Sequence, residues 1–274
     1  MILVNGKAED RINITDRGLQ YGDGLFETIA FRQGVAEFID AHLQRLLAAC
    51  ERLKIPFSQL DLLHKELETV YQSCNGSDCI IKIVITRGSG GRGYLADSNI
   101  VPTRIISTHT MPNYPESYSK KGVSVRFCQH KLSENIVLAG LKHLNRLDNV
   151  LARNEWTDTS IAEGLMFDQS NHLIEGTMSN VFIVKSQQLI TPQLDKSGVA
   201  GIMRAQIIKM AKQQGLTISE STLTQDDLTN ADEVFVCNSV NGIWPVNSID
   251  DIAKTYTVGP VTQQLQAVLS KVEH

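Results

Sequence analysis

The segment Leu138-Ala139-Gly140-Leu141-Lys142-His143-Leu144-Asn145-Arg146-Leu147 decides how this chain is read. It sets one lysine between the nearly uncharged run Ile136–Leu141 and a helix start, so the Lys142 amine emerges at the edge of a core. Burial disfavours the ammonium, and a lysine that loses its proton there is a nucleophile that condenses with carbonyl cofactors. By itself the pattern also fits a lysine whose stem packs on apolar neighbours. The flanking sequence has to separate the two.

Upstream, short apolar runs alternate with turn signals: Ile2–Val4, Asn5-Gly6, Leu25–Phe31, Arg32-Gln33-Gly34, Val35–Ile39. That pattern predicts a sheet built from hairpins. Asp40 is placed to cap a following helix, whose stripe Leu43, Leu46, Leu47, Cys50 and Leu53 runs until Pro56. A second helix is expected over Leu60–Gln72, then strands at Ile80–Thr86 and Thr103–Thr108 around a glycine-rich loop. The breaker-rich stretch 111–122 reads as a linker, dividing an N-terminal α/β domain (1–110) from a second α/β domain (123–274). In that second domain, strands are expected at Val123–Phe127, Gly164–Phe167, Asn180–Val184 and Glu233–Cys237. Helices are expected near Leu144–Trp156, at Ile202–Gln214 and near Val261–Val272. Substrates commonly bind between two such domains.

The chain has 274 residues, 42% apolar and 20% charged, which is ordinary globular usage and argues against disorder or a repeat architecture. A net charge of −4 supplies no field to hold a polyanion, so no nucleic-acid partner is expected. No apolar stretch approaches the ~20 residues needed to cross a bilayer. Met1–Asp10 lacks the pattern of a signal peptide, so a cytoplasmic protein is expected. The five cysteines include no CxxC pair and the seven histidines no HExxH, so the thiols read as reduced and structural, and no metal site is expected.

Four further features carry possible chemistry. Gly88, Gly90 and Gly93 form a GxGxxG after a strand, but Leu95–Pro102 has no helical periodicity to present a helix N-terminus, so the dinucleotide reading fails. Arg87 and Arg92 on that loop are placed to clamp carboxylates, or simply lie on a solvated loop. Glu175, between an apolar pair and a glycine, is a carboxylate that needs a partner if buried; a protonated pyridine nitrogen is one such partner and a turn is the plainer reading. Gly198-Val199-Ala200-Gly201-Ile202-Met203-Arg204 opens a helix whose Ile202 and Met203 amides are suited to a phosphate, or mark an ordinary glycine turn. Arg45 faces away from its helix's leucine stripe, as a surface charge or a phosphate ligand.

Together these segments resemble the fold-type IV pyridoxal-phosphate enzymes, the group that includes D-amino-acid and branched-chain aminotransferases and aminodeoxychorismate lyases. The resemblance runs from Asp16 to Pro245. It is carried by Asp16-Arg17-Gly18, Tyr21-Gly22-Asp23-Gly24-Leu25-Phe26-Glu27-Thr28, His42-Leu43-Gln44-Arg45-Leu46, Glu175-Gly176-Thr177 and Gly201-Ile202-Met203-Arg204, in their usual order. It implies a two-domain α/β (α+β) fold of the D-amino-acid aminotransferase type, with pyridoxal 5'-phosphate at the domain interface, in a homodimer. Lys142 is then the lysine that bonds the cofactor, and Glu175 the partner of its pyridine nitrogen. Arg45, the Ile202 and Met203 amides and the Ser239 hydroxyl form its phosphate site.

Within the family, the Leu138–Leu147 run, the loop Arg87–Tyr94, Cys237-Asn238-Ser239 and Trp244-Pro245-Val246 look most like the lyases. These cleave 4-amino-4-deoxychorismate into 4-aminobenzoate and pyruvate on the path to folate. The lyase resemblance puts the Thr28 hydroxyl in the site as a catalytic group, with Arg87, Arg92 and Arg146 as candidates for the substrate carboxylates. It leaves open which of them serve, and whether the Arg87–Tyr94 loop serves its own or the partner's site. Glu27 is a position at which members differ and is given no role. Branched-chain aminotransferases carry a tyrosine five residues after the lysine; this chain has Leu147. An aminotransferase of the same fold is the nearest rival, separated by whether a keto acid discharges the aminated cofactor. A cofactor-binding protein without turnover is a second rival, which the retention of both Lys142 and Glu175 opposes.

Overall fold

The structure is a computed structural model and describes residues 1–272. It divides into two compact units, one made of Met1–Pro112 with Lys142–Asn145, the other of Asn113–Leu141 and the described residues from Arg146 on.

The first unit contains β1 (Ile2–Val4), β2 (Lys7–Ala8), α1 (Arg17–Tyr21), β3 (Gly24–Arg32), β4 (Val35–Ala36), α2 (Ile39–Arg52), α3 (Leu60–Ser73), β5 (Cys79–Thr86) and β6 (Thr103–Thr110). Its antiparallel sheet runs β2-β1-β6-β5-β3-β4. In the central register Glu27, Ile83 and Ile106 lie side by side, and so do Thr28, Lys82 and Ser107. Because strand side chains alternate, the first row points to one face and the second to the other. The face with Ile29, Ile81, Ile83, Ile85 and Ile106 is fully buried, and the β-branched run of β5 suits that position. Helix α2 packs on β3 and α3 on β6. The inward face of α2 carries His42, Leu43, Leu46, Ala49 and Cys50, at the three-to-four spacing of a helix lying on a sheet. Asp40 does not cap it: the cap position is Phe38, in left-handed conformation, and Asp40 sits in the first turn, where a negative charge still meets the helix dipole.

The second unit follows with α4 (Ser117–Lys121), β7 (Val123–Phe127), α5 (Leu147–Arg153), β8 (Ile161–Phe167), β9 (Leu173–Gly176), β10 (Asn180–Lys185), β11 (Gln188–Pro192), α6 (Ile202–Gln213), β12 (Ile218–Ser221), α7 (Gln225–Thr229), β13 (Glu233–Asn238), β14 (Gly242–Ile249), β15 (Lys254–Thr255) and α8 (Pro260–Leu269). Its mixed sheet runs β12-β11-β10-β13-β14-β7-β8-β9, with β15 paired to β14. A core cluster of this unit holds Val125, Leu165, Val181, Ile183, Val236 and Trp244. The stretch 111–122, read as a linker, is no bare connector. It holds α4, and Tyr114 and Tyr118 pack edge-on against Trp244 at 4.8 and 5.1 Å between ring centres. Helix α5 begins only at Leu147, three residues later than its periodicity suggests, because Lys142–Leu144 is taken up by backbone pairing with β3. No helix among the described residues is long and apolar enough to cross a membrane.

Ile83 lies mid-sheet with no exposure. Ile83→Ala should lower unfolding stability by roughly 2–5 kcal/mol, the usual range for such a truncation. Urea denaturation measures it, and a change below about 1 kcal/mol would mean that the sheet relaxes into the space.

Candidate active site

In the first unit the site grows from the free edge of β3 near its start. Phe26 donates its N–H to the Lys142 carbonyl at 3.0 Å, and Leu144 donates to the Gly24 carbonyl at 3.0 Å. Gly24 permits this approach: a Cβ there would come within 2.8 Å of the Leu144 side chain. The Asn145 amide reaches back to the Gly22 carbonyl at 3.1 Å. So docked, the Lys142 ammonium lies 4.3 Å from the centre of the Phe26 ring, close enough for cation–π attraction. Lys82 approaches the same ring at 5.4 Å, and Thr28, its partner across the strands, is half-buried on that face.

Glu27 points the other way and is 1% exposed. His42 donates from Nδ1 at 2.6 Å to Oε2, and Arg45 donates from Nε at 2.8 Å to Oε1 and from a second nitrogen to Oε2. Residues 42 and 45 are three apart on α2, hence neighbours on one helix face. Burial pushes the Glu27 carboxyl up, but these two partners hold it below the ordinary carboxylate range. Burial lowers His42, outweighing Glu27, so the imidazole is neutral with its proton on Nδ1.

The glycine-rich loop after β5 is extended and no helix follows it, as the sequence implied. Its first arginine is committed elsewhere. Arg87 binds Asp23 through Nε at 2.7 Å and Nη2 at 3.0 Å, and donates to the Leu53 and Lys54 carbonyls at 2.9 and 2.6 Å. With that many donors spent on Asp23 and the end of α2, the substrate-clamping role expected of Arg87 is withdrawn. Arg17, also on Asp23, donates to the Gly93 and Tyr94 carbonyls at 2.9 and 2.8 Å and so ties down the loop from below. Beyond this anchor Arg92 is exposed and Tyr94 is 88% exposed.

In the second unit Glu175 lies on β9, 3% exposed, its Oε2 accepting the Val199 N–H at 2.8 Å. Val199 is held by a bridge to Gly140. Burial pushes the Arg146 guanidinium down while the Glu175 and Asp148 charges push it up. The turn after Glu175 is built on a second acid. Glu163 on β8 accepts from the Gly164, Thr177 and Met178 amides and from the Thr177 and Ser179 hydroxyls, at 2.6 to 3.2 Å. Its burial raises its carboxyl despite these bonds.

Helix α6 starts at Gly201 with no side-chain cap and no acid in its first turn. A Cβ at Gly201 would lie 2.0 Å from Asn180 Oδ1, so only glycine brings the backbone this close. Arg204 is turned to Glu220, Thr191 and the Pro192 carbonyl. The first-turn amides of Ile202 and Met203 therefore carry the positive end of the helix dipole, a donor set that fits a phosphate. Ser239 lies in the β13–β14 turn, which Asn238 fixes by accepting the Val240 and Asn241 amides at 2.9 and 2.8 Å. Taken unit by unit, the lysine amine suits a carbonyl, and the buried carboxylate and uncapped helix start suit a pyridine nitrogen and a phosphate.

The family profile for amino-transferase class IV matches residues 24–249. The chain belongs to this family. It is 36% identical over 273 residues to an aminodeoxychorismate lyase of Vibrio harveyi, covering 98% of this chain and 100% of the relative. It is 32% identical to a putative branched-chain-amino-acid aminotransferase of Methanocaldococcus jannaschii, covering 97% and 93% of the two chains. The crystal structure of 4-amino-4-deoxychorismate lyase from Pseudomonas aeruginosa matches it with a TM-score of 0.95 and 41% identity over 100% of both chains.

Reading this class IV sequence alone missed Glu27, Lys82, Arg17 and Glu163. Two of them were detectable. Glu27 falls in phase with Leu25 and Ile29 on the inward side of a strand, and Glu163 is the single charge in Ile161–Phe167. An acid at an inward position must have partners. Arg17 and Lys82 carry no such mark.

Protonation links the His42–Glu27 pair to stability. Below its ordinary value near 6.5 the unfolded chain binds a proton at His42 that the folded chain resists, so stability is full above that pH and falls as pH drops toward the folded value. Glu27, held below its ordinary 4.5, adds a second loss under that value. Melting temperature should therefore fall on acidification from about pH 7 to about pH 5, and His42→Gln should flatten that slope. An unchanged slope in the variant would place the titration elsewhere.

Proposed function

We propose that this class IV chain is a pyridoxal-phosphate-dependent aminodeoxychorismate lyase, which converts 4-amino-4-deoxychorismate into 4-aminobenzoate and pyruvate in folate biosynthesis. One observation carries the reading: full-length similarity to lyases, with 41% identity and a TM-score of 0.95 in one and 36% identity in another. It acts as a cytoplasmic homodimer on a small molecule, with no nucleic-acid partner. The absence of CxxC pairs and the mild net charge of −4 support that setting.

When bound, the cofactor supplies a ring that draws electrons from the carbon attached to the substrate nitrogen. Lys142 holds it through its amine and, once displaced by the substrate, takes the proton from that carbon. The Phe26 ring under the Lys142 ammonium fixes where this proton is handled. Glu175 keeps the pyridine nitrogen protonated, and the Val199 amide fixes the orientation of its carboxylate. The Ile202 and Met203 amides, Ser239 and Arg45 hold the phosphate, with Arg45 braced by Glu27. Expulsion of the enolpyruvyl oxygen needs a proton, from the Lys142 ammonium or from Thr28, on the same strand as Phe26. Arg92 and Arg146 remain the arginine candidates for the substrate carboxylates.

Glu175→Gln keeps the cofactor's shape partner but removes the charge that stabilises a protonated ring. Cofactor absorbance should persist while turnover falls roughly 100-fold, the scale for loss of one preorganised electrostatic partner. Near-normal turnover would remove Glu175 from the mechanism.

The fate of nitrogen separates lyase from aminotransferase. In the lyase the amine leaves as part of 4-aminobenzoate, so no amino acceptor is needed. Incubation with 4-amino-4-deoxychorismate and no keto acid should give many turnovers, equal amounts of pyruvate and 4-aminobenzoate, and borohydride-trappable cofactor on Lys142 throughout. Stalling after one turnover, or rapid exchange between common amino and keto acids without 4-aminobenzoate, would favour the aminotransferase reading.

A further inference from the structure

Away from the residues assigned to catalysis, the first unit brings two thiols together. Cys74 is the C-cap of α3 and Cys79 the first residue of β5, and their sulfurs lie 3.0 Å apart. The turn between them, Asn75-Gly76-Ser77-Asp78, has two consecutive left-handed residues, at φ 49° and 75°, and the Ser77 amide donates to the Cys74 carbonyl at 2.8 Å. Both ends are anchored. Cys74 Sγ reaches the Val70 carbonyl at 3.4 Å, and Cys79 pairs with Phe31 on one side and Thr110 on the other. Cys79 is buried, as are Cys50, Cys128 and Cys237, whereas Cys74 is half-buried.

We propose that Cys74 and Cys79 form a dithiol–disulfide couple that exchanges with low-molecular-weight disulfides and, when oxidised, fastens the end of α3 to the start of β5. A disulfide requires about 2.05 Å between the sulfurs, so an approach of roughly 1 Å closes it. Burial, then the Cys74 sulfur, pushes the Cys79 thiol up to about 12, so it stays protonated at neutral pH. Cys74, half-exposed, is therefore the sulfur that reacts first. Its thiolate attacks the small disulfide, forming a mixed disulfide and expelling one thiolate. Cys79 then loses its proton and attacks Cys74 Sγ, expelling the second thiolate. The two cysteines lose two protons and two electrons between them, and the small disulfide gains both to become two thiols. Proximity of the second sulfur, rather than an activated first one, makes the pair oxidisable. Two of the thiols, read from the sequence as reduced and mainly structural, thereby gain a redox role.

The test equilibrates the cofactor-loaded full-length enzyme in buffers of oxidised and reduced glutathione, followed by alkylation and peptide mapping. The expected product is a Cys74–Cys79 peptide lighter by two hydrogen atoms, formed at a defined redox ratio and reversed by excess reduced glutathione. The oxidised protein should melt roughly 5 °C higher, as closure of a short loop implies for a chain of this size. Cys79→Ser should stop at a glutathione adduct on Cys74 and lose the melting shift. Alkylation of both cysteines at every ratio overturns the proposal. So does a persistent adduct on Cys74 beside an alkylated Cys79, or a melting shift that survives in Cys79→Ser.

Discussion

The short pairing of Lys142–Leu144 with the free edge of β3 is the constraint on which the other features depend. Two backbone hydrogen bonds, to Gly24 and Phe26, fix the lysine's Cα and the direction of its side chain. Without them α5 would be free to begin earlier, as the periodicity of Leu144–Trp156 suggests, and Lys142 would lie on a helix end instead of over the Phe26 ring. The glycines at 22 and 24, whose spacing looks like a loose turn signal in the sequence, make room for this segment. A lysine whose carbonyl is bonded to the strand, beside a His143 bridged to Leu25, does not rely on loop rigidity alone for its aim.

Three buried glutamates show how differently one residue type is accommodated. Glu27 has two cationic or polar side chains from one helix and remains a carboxylate. Glu163 is surrounded only by amides and hydroxyls, and burial raises its carboxyl; it serves as the hub for a turn. Glu175, one strand away from Glu163, accepts the Val199 amide from the 198–200 loop at Oε2 and has Arg146 as a nearby positive charge, an environment that differs from both of the others.

Much of the architecture was legible because its strands and helices bury one face. The isoleucines of β5 and the leucine stripe of α2 announce themselves by period, and the order of motifs singles out Lys142. What could not be read were choices among partners. Arg87 and Arg92 look equivalent in Arg87-Gly88-Ser89-Gly90-Gly91-Arg92, yet Asp23 and two carbonyls at the end of α2 consume the first. Asp40 looked like a cap and is displaced by a left-handed Phe38. Each of these depends on residues distant in sequence or on a backbone conformation that the local residues do not favour, so no window of neighbouring residues contains the answer.

The lyase and aminotransferase readings share this scaffold because both require a proton to be taken from the same carbon. They differ in where electrons go next. Breaking a carbon–oxygen bond beside that carbon needs a proton at the departing oxygen, whereas amino transfer needs water and a second substrate. The face shared by Phe26, Thr28 and Lys82 offers a hydroxyl and a second ammonium on the strand face that Lys142 covers. A departing enolpyruvyl group carries a carboxylate, so a cationic face with a proton donor lowers the cost of expelling it.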